Sequence, residues 1–175
     1  MRKYVITGPA SCGKTTLIEH LHKKGFPVVF EIAREVLLEG NFHPNVDPFL
    51  FQQEIAKRQT IEEEKIQDLD AEIVFLDRGF YDQIAYCYYN GVTELPPEIK
   101  LDAQYDGVFV LEALSKFEMD GVRVENTLEE ARTTSDMIVR EYEKRGISTI
   151  HIPAVTVAER IDLVLRKLQT IKTER

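Results

Sequence analysis

The chain has 175 residues, of which 43% are hydrophobic, and this length suits one domain around a single apolar core. Its formal net charge of −8 argues against general binding to DNA or RNA, because phosphate backbones attract basic surfaces. The two cysteines, Cys12 and Cys87, lack the paired spacing of a disulfide framework or a zinc site, which fits a reducing compartment.

The amino-terminal residues Met1, Arg2 and Lys3 lead directly into a short apolar stretch, without the longer apolar region of a secretory signal. No apolar run approaches the ~20 residues that a membrane-spanning helix needs. We therefore expect one domain over residues 1–175 in the cytoplasm, with neither a membrane nor a nucleic acid as partner.

Apolar stretches that predict strands alternate along the chain with stretches that predict helices, which is the pattern of an α/β domain with a parallel sheet. Strands are predicted over residues 2–7, 27–31, 72–77, 107–111 and 147–152. Their nearly continuous apolar character is typical of strands that are covered on both faces. Caps and apolar spacing predict helices over residues 16–24, 32–38, 47–69, 80–89, 127–145 and 156–170.

The first predicted strand runs into a complete G-x-x-x-x-G-K-[ST] phosphate-binding sequence. Its glycines let backbone N–H groups turn toward phosphate oxygens, and the following helix adds its dipole. Candidate nucleotide-binding residues are Gly8, Pro9, Ala10, Ser11, Cys12, Gly13, Lys14, Thr15 and Thr16. The alternative is a glycine-rich turn that binds nothing.

Asp77 and Arg78 follow the third predicted strand. Ligands bind at the carboxyl edge of open α/β sheets, so Asp77 has the position expected for a group that helps Thr15 to hold Mg²⁺. Arg78 would direct a planar cation toward the phosphates. The alternative is a buried Asp–Arg pair that merely ends the strand.

Glu31 ends the second predicted strand as Asp77 ends the third, so the two carboxylates are expected to flank one crevice. One would assist the metal while the other accepts a proton from a hydroxyl acceptor, and which one is the base stays open. For Glu31 an equal alternative is a helix-capping acid, favoured by the helix dipole. Arg34, in the first turn of that helix, is open in the same way.

A lid of about residues 115–135 is predicted between the fourth strand and a capped helix. Lids in phosphoryl-transfer enzymes bring an arginine over the transferred group and exclude water. Arg123 is the candidate, with Arg132 as a weaker one, and the alternative is a surface loop with exposed arginines.

Two further segments lie where a ligand would be. Tyr81 and Asp82 open an aromatic helix close to Asp77, and most rings of that helix are predicted as core. Pro153 and Ala154 follow the fifth strand, in a loop whose backbone either contacts an adenine ring or simply connects two elements.

With the phosphate loop, Glu31–Glu35, Asp77–Gly79 and Asp120–Arg123 in place, the chain resembles a known family. It is similar to the small phosphate-loop kinases and AAA-type ATPases grouped around the ribosylnicotinamide kinase domain of NadR-type proteins. The resemblance implies a three-layer fold with a five-stranded parallel sheet in the order 2-3-1-4-5 and a lid. It also implies ATP and Mg²⁺ as cofactors and phosphoryl transfer to a nucleoside-like or other small hydroxyl compound.

By position, the resemblance implies that Lys14 and Thr15 bind phosphates and Mg²⁺, that Asp77 assists the metal or acts as base, and that Arg123 serves the lid. A second hypothesis is a nucleotide-dependent ATPase or GTPase switch that acts on a protein partner. The sequence lacks the Asn-Lys-x-Asp motif for guanine, and Asp77–Gly79 stands where a GTP switch has Asp-x-x-Gly. The kinase hypothesis is therefore favoured.

Overall fold

A computed structural model describes residues 1–113 and 127–173 of the chain. Five parallel strands form one sheet in the order β2-β3-β1-β4-β5, which confirms the predicted fold class and strand order. The strands are β1 (Arg2–Thr7), β2 (Val28–Val29), β3 (Ile73–Asp77), β4 (Gly107–Leu111) and β5 (Thr149–Ile152).

Six helices are described between and after the strands. They are α1 (Lys14–Lys23), α2 (Ile32–Glu39), α3 (Pro48–Lys65), α4 (Phe80–Tyr89), α5 (Leu128–Glu143) and α6 (Val157–Thr173). The predicted caps form: Asp47 accepts a hydrogen bond from the Leu50 N–H at 2.9 Å, and Thr127 accepts one from the Glu130 N–H at 3.1 Å.

The second strand is shorter than predicted. The sequence predicts it over residues 27–31, whereas only Val28 and Val29 pair, and only with β3. This strand lies at the edge of the sheet, so nothing on its outer side extends the pairing. Because β2 ends at Val29, Glu31 lies outside the strand and directly precedes α2.

The apolar residues of the strands alternate between two faces, which produces three layers. Tyr4, Phe75 and Phe109 pack with the apolar sides of α1 and α6. Val5, Val74 and Val108 pack with α2, α3, α4 and α5 on the other face. Fully burying side chains of this size stabilises the fold by roughly 1.5–3 kcal/mol each, so the two apolar layers fix how the helices sit on the sheet.

Because all five strands are parallel, their carboxyl ends lie at one edge of the sheet. Residues 8–13 leave β1 there, residues 78–79 leave β3, and residues 153–156 leave β5. The segments that the sequence selected for chemistry therefore begin at the same edge. Among the described helices, none combines the length and apolar character required to cross a membrane.

Candidate active site

The segment between β1 and α1 has the backbone form of a phosphate-binding loop. Gly8, Ser11 and Gly13 have φ values of 139°, 59° and 86°, in the left-handed region that favours glycine. A Cβ atom on Gly8 would lie 2.4 Å from the carbonyl oxygen of Leu111, so only glycine fits there. A loop of this form at the start of a helix presents N–H groups to an anion.

Lys14 is the buried cation of this loop. Its Nζ donates hydrogen bonds to the carbonyl oxygens of Gly8 at 3.2 Å and Pro9 at 2.9 Å, so the ammonium lies against the loop backbone. The side chain is only 6% exposed, whereas Thr15 and Thr16 are exposed at the start of α1. The loop therefore combines a held positive charge with an accessible hydroxyl.

Arg160 of α6 donates hydrogen bonds to the phosphate loop and to two neighbouring segments, a role that the sequence did not predict. Its guanidinium donates to the carbonyl oxygens of Cys12, of Glu112 at 3.1 Å and of Pro153 at 3.0 Å. The residue is 2% exposed, and burial lowers the pKa of the guanidinium. Arg160 thus joins the phosphate loop to the segments that follow β4 and β5, which include the predicted contacts Pro153 and Ala154.

An arginine on an amphipathic helix ordinarily predicts a solvent-facing position. Arg160 lies in the first turn of α6, four residues after Thr156, and this spacing contains no signal of a loop contact. Only the tertiary fold brings its guanidinium to Cys12, which lies 148 positions earlier in the chain.

Glu31 and Arg78 form an ion pair at the carboxyl edge. The Nε of Arg78 donates to Oε1 of Glu31 at 3.1 Å. Glu31 is the N-cap residue of α2, but its side chain makes no capping hydrogen bond. Burial opposes ionisation of Glu31, but the charges of Arg78 and Lys14 outweigh it and hold its pKa below the ordinary value.

Asp77 lies next to this pair and is almost completely buried. Neither carboxylate oxygen has a hydrogen-bond partner among the described residues. Burial, followed by the negative charge of Glu31, raises the pKa of Asp77 to about 7. A buried carboxylate without a partner is costly, so this position favours a bound cation or a donor from a ligand.

The residues fit Mg²⁺ in the way that nucleotide sites use it. Mg²⁺ prefers oxygen ligands and is commonly held by one or two carboxylates, water and substrate phosphates. The partnerless oxygens of Asp77 and the exposed hydroxyl of Thr15 are such ligands. Within residues 1–113 and 127–173, no group of three or more His, Cys, Asp or Glu side chains is arranged to hold a metal ion, so phosphate oxygens would complete the coordination.

Asp82 is a fully buried centre of hydrogen bonds beside Arg78. Its Oδ1 accepts from the Thr7 hydroxyl and from Nη1 of Arg78 at 3.1 Å. Its Oδ2 accepts from the Gly79 N–H at 3.0 Å and from the Tyr142 hydroxyl at 2.6 Å. Asp82 thereby fixes the orientation of the Arg78 guanidinium. This role of Asp82 was not predicted from the sequence.

Arg78 also lies over an aromatic ring, whereas Tyr81 belongs to the core. The guanidinium of Arg78 is 5.1 Å from the centre of the Tyr86 ring. Tyr81 donates its hydroxyl to the carbonyl oxygen of Ala103 at 2.6 Å, and its ring packs edge-on against Tyr142. Tyr81 therefore has a structural environment, although it adjoins the site.

The outer part of the site is only partly described. Arg123 and most of the predicted lid lie outside the described residues. Arg132 of α5 is exposed and lines a cavity of about 310 Å³ together with Pro9, Glu112 and Asp136. Arg34 is exposed on α2, and its charge contributes to the lowered pKa of Glu31.

The carboxyl edge thus brings together four of the predicted catalytic residues. Lys14, Glu31 and Arg78 interact by charge with Asp77, and Thr15 lies in the first turn of the adjoining helix α1. Their roles in a reaction stay predictions, but their proximity no longer does.

Comparison with known proteins agrees with this arrangement. Residues 3–160 match the family model described as an AAA domain. No curated protein matches the chain. Among solved structures, the NadR protein in complex with NR is similar with a TM-score of 0.66 and 20% identity, over 86% of this chain and 43% of that one. The present chain thus spans less than half the length of that protein.

Two other solved structures are similar over nearly their whole length. Deoxyadenosine kinase from M. mycoides with bound dATP has a TM-score of 0.66 and 15% identity, over 97% of this chain and 100% of that one. Thymidylate kinase from Ehrlichia chaffeensis has a TM-score of 0.64 and 16% identity, over 96% and 98%. At these identities the likeness establishes the shared fold.

Proposed function

The chain belongs to the AAA domain family, and we propose that it transfers a phosphoryl group from ATP to a hydroxyl of a small, nucleoside-like acceptor. The observation that carries the proposal is the partnerless, buried carboxylate of Asp77 between the phosphate loop and the Glu31–Arg78 pair. The phosphate loop would bind the nucleotide. The charges of Glu31 and Arg78 would bind the acceptor beside it. The whole chain, residues 1–175, would act as one domain in the cytoplasm.

On the nucleotide side, the loop N–H groups and Lys14 bind the phosphates. Lys14 exchanges its contacts with the Gly8 and Pro9 carbonyls for phosphate oxygens. Thr15 and Asp77 would hold Mg²⁺, which would supply positive charge to the transferred group. Pro153 and Ala154 would contact the adenine, and the bond from Arg160 to the Pro153 carbonyl holds their loop.

On the acceptor side, Glu31 is the stronger candidate for the base. Its pKa is held low, so it is ionised at neutral pH and can accept the hydroxyl proton, while its side chain stays 23% exposed. Asp77 is fully buried and partnerless, which suits a metal ligand better. Arg78 orients Glu31 and brings a positive charge close to the transferred group.

Closure over the transferred group is proposed for the lid of about residues 115–135, with Arg123 as its arginine. Support within the described part is the position of Arg132, which lies in the second turn of α5 and lines the same cavity as Pro9 of the phosphate loop.

The test is ATP consumption by the purified protein with Mg²⁺, with and without a panel of nucleosides that includes nicotinamide riboside. We expect one acceptor to raise turnover well above the basal rate and to gain mass equal to one phosphoryl group. Basal hydrolysis that no acceptor changes would contradict the proposal and favour the nucleotide-dependent switch.

A further inference from the structure

Arg78, which pairs with Glu31, has a backbone conformation that an L residue adopts only at a cost. Its φ is 70°, in the left-handed region, and such a conformation persists only where neighbouring groups hold it. The Arg78 N–H donates to the carbonyl oxygen of Ile6 at 3.1 Å. The next N–H, that of Gly79, donates to Oδ2 of Asp82 at 3.0 Å. Asp82 therefore holds this segment by its backbone as well as by the Arg78 guanidinium.

The hydroxyl of Tyr142, on α5, bonds to the same carboxylate oxygen. It donates to Oδ2 of Asp82 at 2.6 Å across 60 positions of the chain, and the tyrosine is fully buried. Burial, followed by the negative charge of Asp82, raises the pKa of Tyr142 well above its ordinary value. The hydroxyl therefore keeps its proton and stays a donor, which fixes Oδ2 of Asp82 between α5 and the start of α4.

Gly79 leaves the space that this contact occupies. A Cβ atom there would lie 2.8 Å from the hydroxyl oxygen of Tyr142 and 2.9 Å from that of Tyr105. The φ of Gly79 is −140°, an extended value that other residues adopt freely, so the requirement for glycine comes from the two phenols. The small residue after Arg78 thus admits Tyr142 to the carboxylate that holds Arg78.

We propose that Tyr142 is a positioning residue for phosphoryl transfer, which acts through Asp82 to hold Arg78 in the conformation that pairs with Glu31. This inference rests on the proposed function. The hydroxyl of Tyr142 fixes Oδ2 of Asp82, and Oδ1 of the same carboxylate accepts from Nη1 of Arg78 at 3.1 Å. Nε of that guanidinium donates to Glu31 at 3.1 Å. Because transfer depends steeply on the placement of charged groups, a displaced guanidinium slows it.

The test compares Tyr142→Phe with Tyr105→Phe, which each remove one buried hydroxyl and keep the ring. Tyr105 is the matched control because its hydroxyl donates to a different carboxylate, that of Glu63, at 2.9 Å. The two tyrosine rings lie 6.1 Å apart in the same cluster. Both substitutions should therefore lower the melting temperature, whereas only Tyr142→Phe should change the environment of Arg78.

The first measurement follows Arg78 without any substrate, by NMR hydrogen exchange of its Nε–H in protein that contains isotope-labelled arginine. Arg78→Lys assigns the signal, since it removes it. In the wild-type protein the bond to Glu31 protects this hydrogen. A hydrogen bond to a charged group is among the stronger ones, so its loss in Tyr142→Phe should speed exchange by roughly 10-fold or more. We expect Tyr105→Phe to exchange at the wild-type rate.

The second measurement is transfer to the acceptor that the panel of nucleosides identifies. Tyr142→Phe should lower kcat by roughly 10-fold and change the KM of ATP by less than about twofold, because the phosphate loop is unaltered. Arg78→Lys keeps the charge but lacks the planar fork that bonds both Asp82 and Glu31. In that background Tyr142→Phe should have little further effect on kcat. A tyrosine with only a structural role would add the same loss in both backgrounds.

A second variant reaches the same contact from the other side. Gly79→Ala displaces the Tyr142 hydroxyl without removing it, and we expect it to speed the exchange of the Arg78 Nε–H as well. It keeps the inference testable if Tyr142→Phe does not fold.

Three results overturn the inference: wild-type exchange of the Arg78 Nε–H in Tyr142→Phe or Gly79→Ala, equal losses of kcat in the two tyrosine variants, or a full further loss from Tyr142→Phe in the Arg78→Lys background. Failure of the proposed function looks different. Exchange that accelerates in Tyr142→Phe and not in Tyr105→Phe, in a protein that phosphorylates no acceptor, supports the hold of Tyr142 on Arg78 and contradicts phosphoryl transfer.

Discussion

The two proposed halves of the site are formed by different kinds of group. We call the loop around Gly8 and Lys14 the nucleotide half, and Glu31, Arg78 and Asp82 the acceptor half. The nucleotide half is made by backbone: Lys14 is held by carbonyls of its own loop, and Gly8 is required by the approach of the Leu111 carbonyl. The acceptor half is made by side chains, in which Arg78 joins Glu31 to Asp82.

This difference determines how each half can change. In a loop that binds phosphate through its backbone, few substitutions affect binding, but those few abolish it almost completely. A network of buried charges can lose one member and keep partial function, and it responds to pH because its members shift one another's pKa. The same fold can therefore keep one nucleotide site and vary the acceptor.

Lys14→Ala should have the largest effect, because it removes the only side-chain charge within the loop. We expect turnover of ATP to fall by roughly 10³-fold or more while cooperative unfolding is retained. Steady-state ATP consumption and a thermal melt measure the two quantities. Lys23→Ala, at the exposed end of the same helix, is the matched control and should leave turnover unchanged.

Unchanged turnover in Lys14→Ala would remove the phosphate-loop interpretation altogether. A loss of folding would instead mean that the contacts of Lys14 with the Gly8 and Pro9 carbonyls are structural.

Glu31→Gln tests the acceptor half in isolation, since it replaces the charge with a neutral group of the same shape. Removing a general base lowers transfer by roughly 10²- to 10⁴-fold, while ATP binding depends on the other half of the site. We expect kcat to fall by about that factor and the Kd of ATP to change little. Equal losses in transfer and in ATP binding would point to a structural role for the Glu31–Arg78 pair.

The same contrast explains how much could be predicted from sequence. The phosphate loop is contiguous, so its pattern alone predicts the conformation that Gly8 and Gly13 adopt. The strand order that the family resemblance implied is confirmed. For Glu31 the sequence left capping and chemistry equally open, because both place an acid before a helix. The structure adds that its side chain bonds to Arg78, and a role in the reaction stays a prediction.

Residues that act across long sequence separations were not predictable in this way. Asp82 meets Thr7 across 75 positions, and Arg160 meets Cys12 across 148. Locally, an aspartate in a first helical turn and an arginine on an amphipathic helix have ordinary explanations. Their contacts depend on how helices pack on the sheet, which periodicity does not specify. Arg123 stays a prediction, since it lies outside the described residues.

Arg160→Met tests whether ATP binding by the nucleotide half depends on a side chain that is distant in sequence. The substitution leaves three carbonyl oxygens, those of Cys12, Glu112 and Pro153, without this donor. We expect the free energy of unfolding to fall by roughly 3–5 kcal/mol, because a buried charged donor with several bonds is lost. Urea unfolding gives this value, and ATP binding should weaken with acceptor binding unchanged.

Arg166→Met, six residues further along α6 and exposed, serves as the control for Arg160→Met. If both variants lose the same stability, or if Arg160→Met binds ATP as tightly as the wild-type protein, the guanidinium does not shape the nucleotide half.

Asp77 lies between the two halves of the site, and its burial should make the free energy of unfolding depend on pH. Its pKa is raised to about 7 in the folded protein, whereas an unfolded aspartate titrates near pH 4. Between these values the folded state binds the proton and the unfolded state does not, so stability falls as pH rises from about 4 to about 7. The full difference of about three pKa units corresponds to as much as about 4 kcal/mol.

Asp77→Asn keeps the shape of the side chain and removes this titration. In the absence of nucleotide and Mg²⁺, the difference in unfolding free energy between the variant and the wild-type protein should therefore move in favour of the variant as pH rises from 5 to 8. Urea unfolding at both pH values measures that change, and a difference that is independent of pH would contradict the raised pKa. Mg²⁺ with ATP should then stabilise the wild-type protein more than the variant at pH 8, because only the carboxylate offers the cation a negative charge.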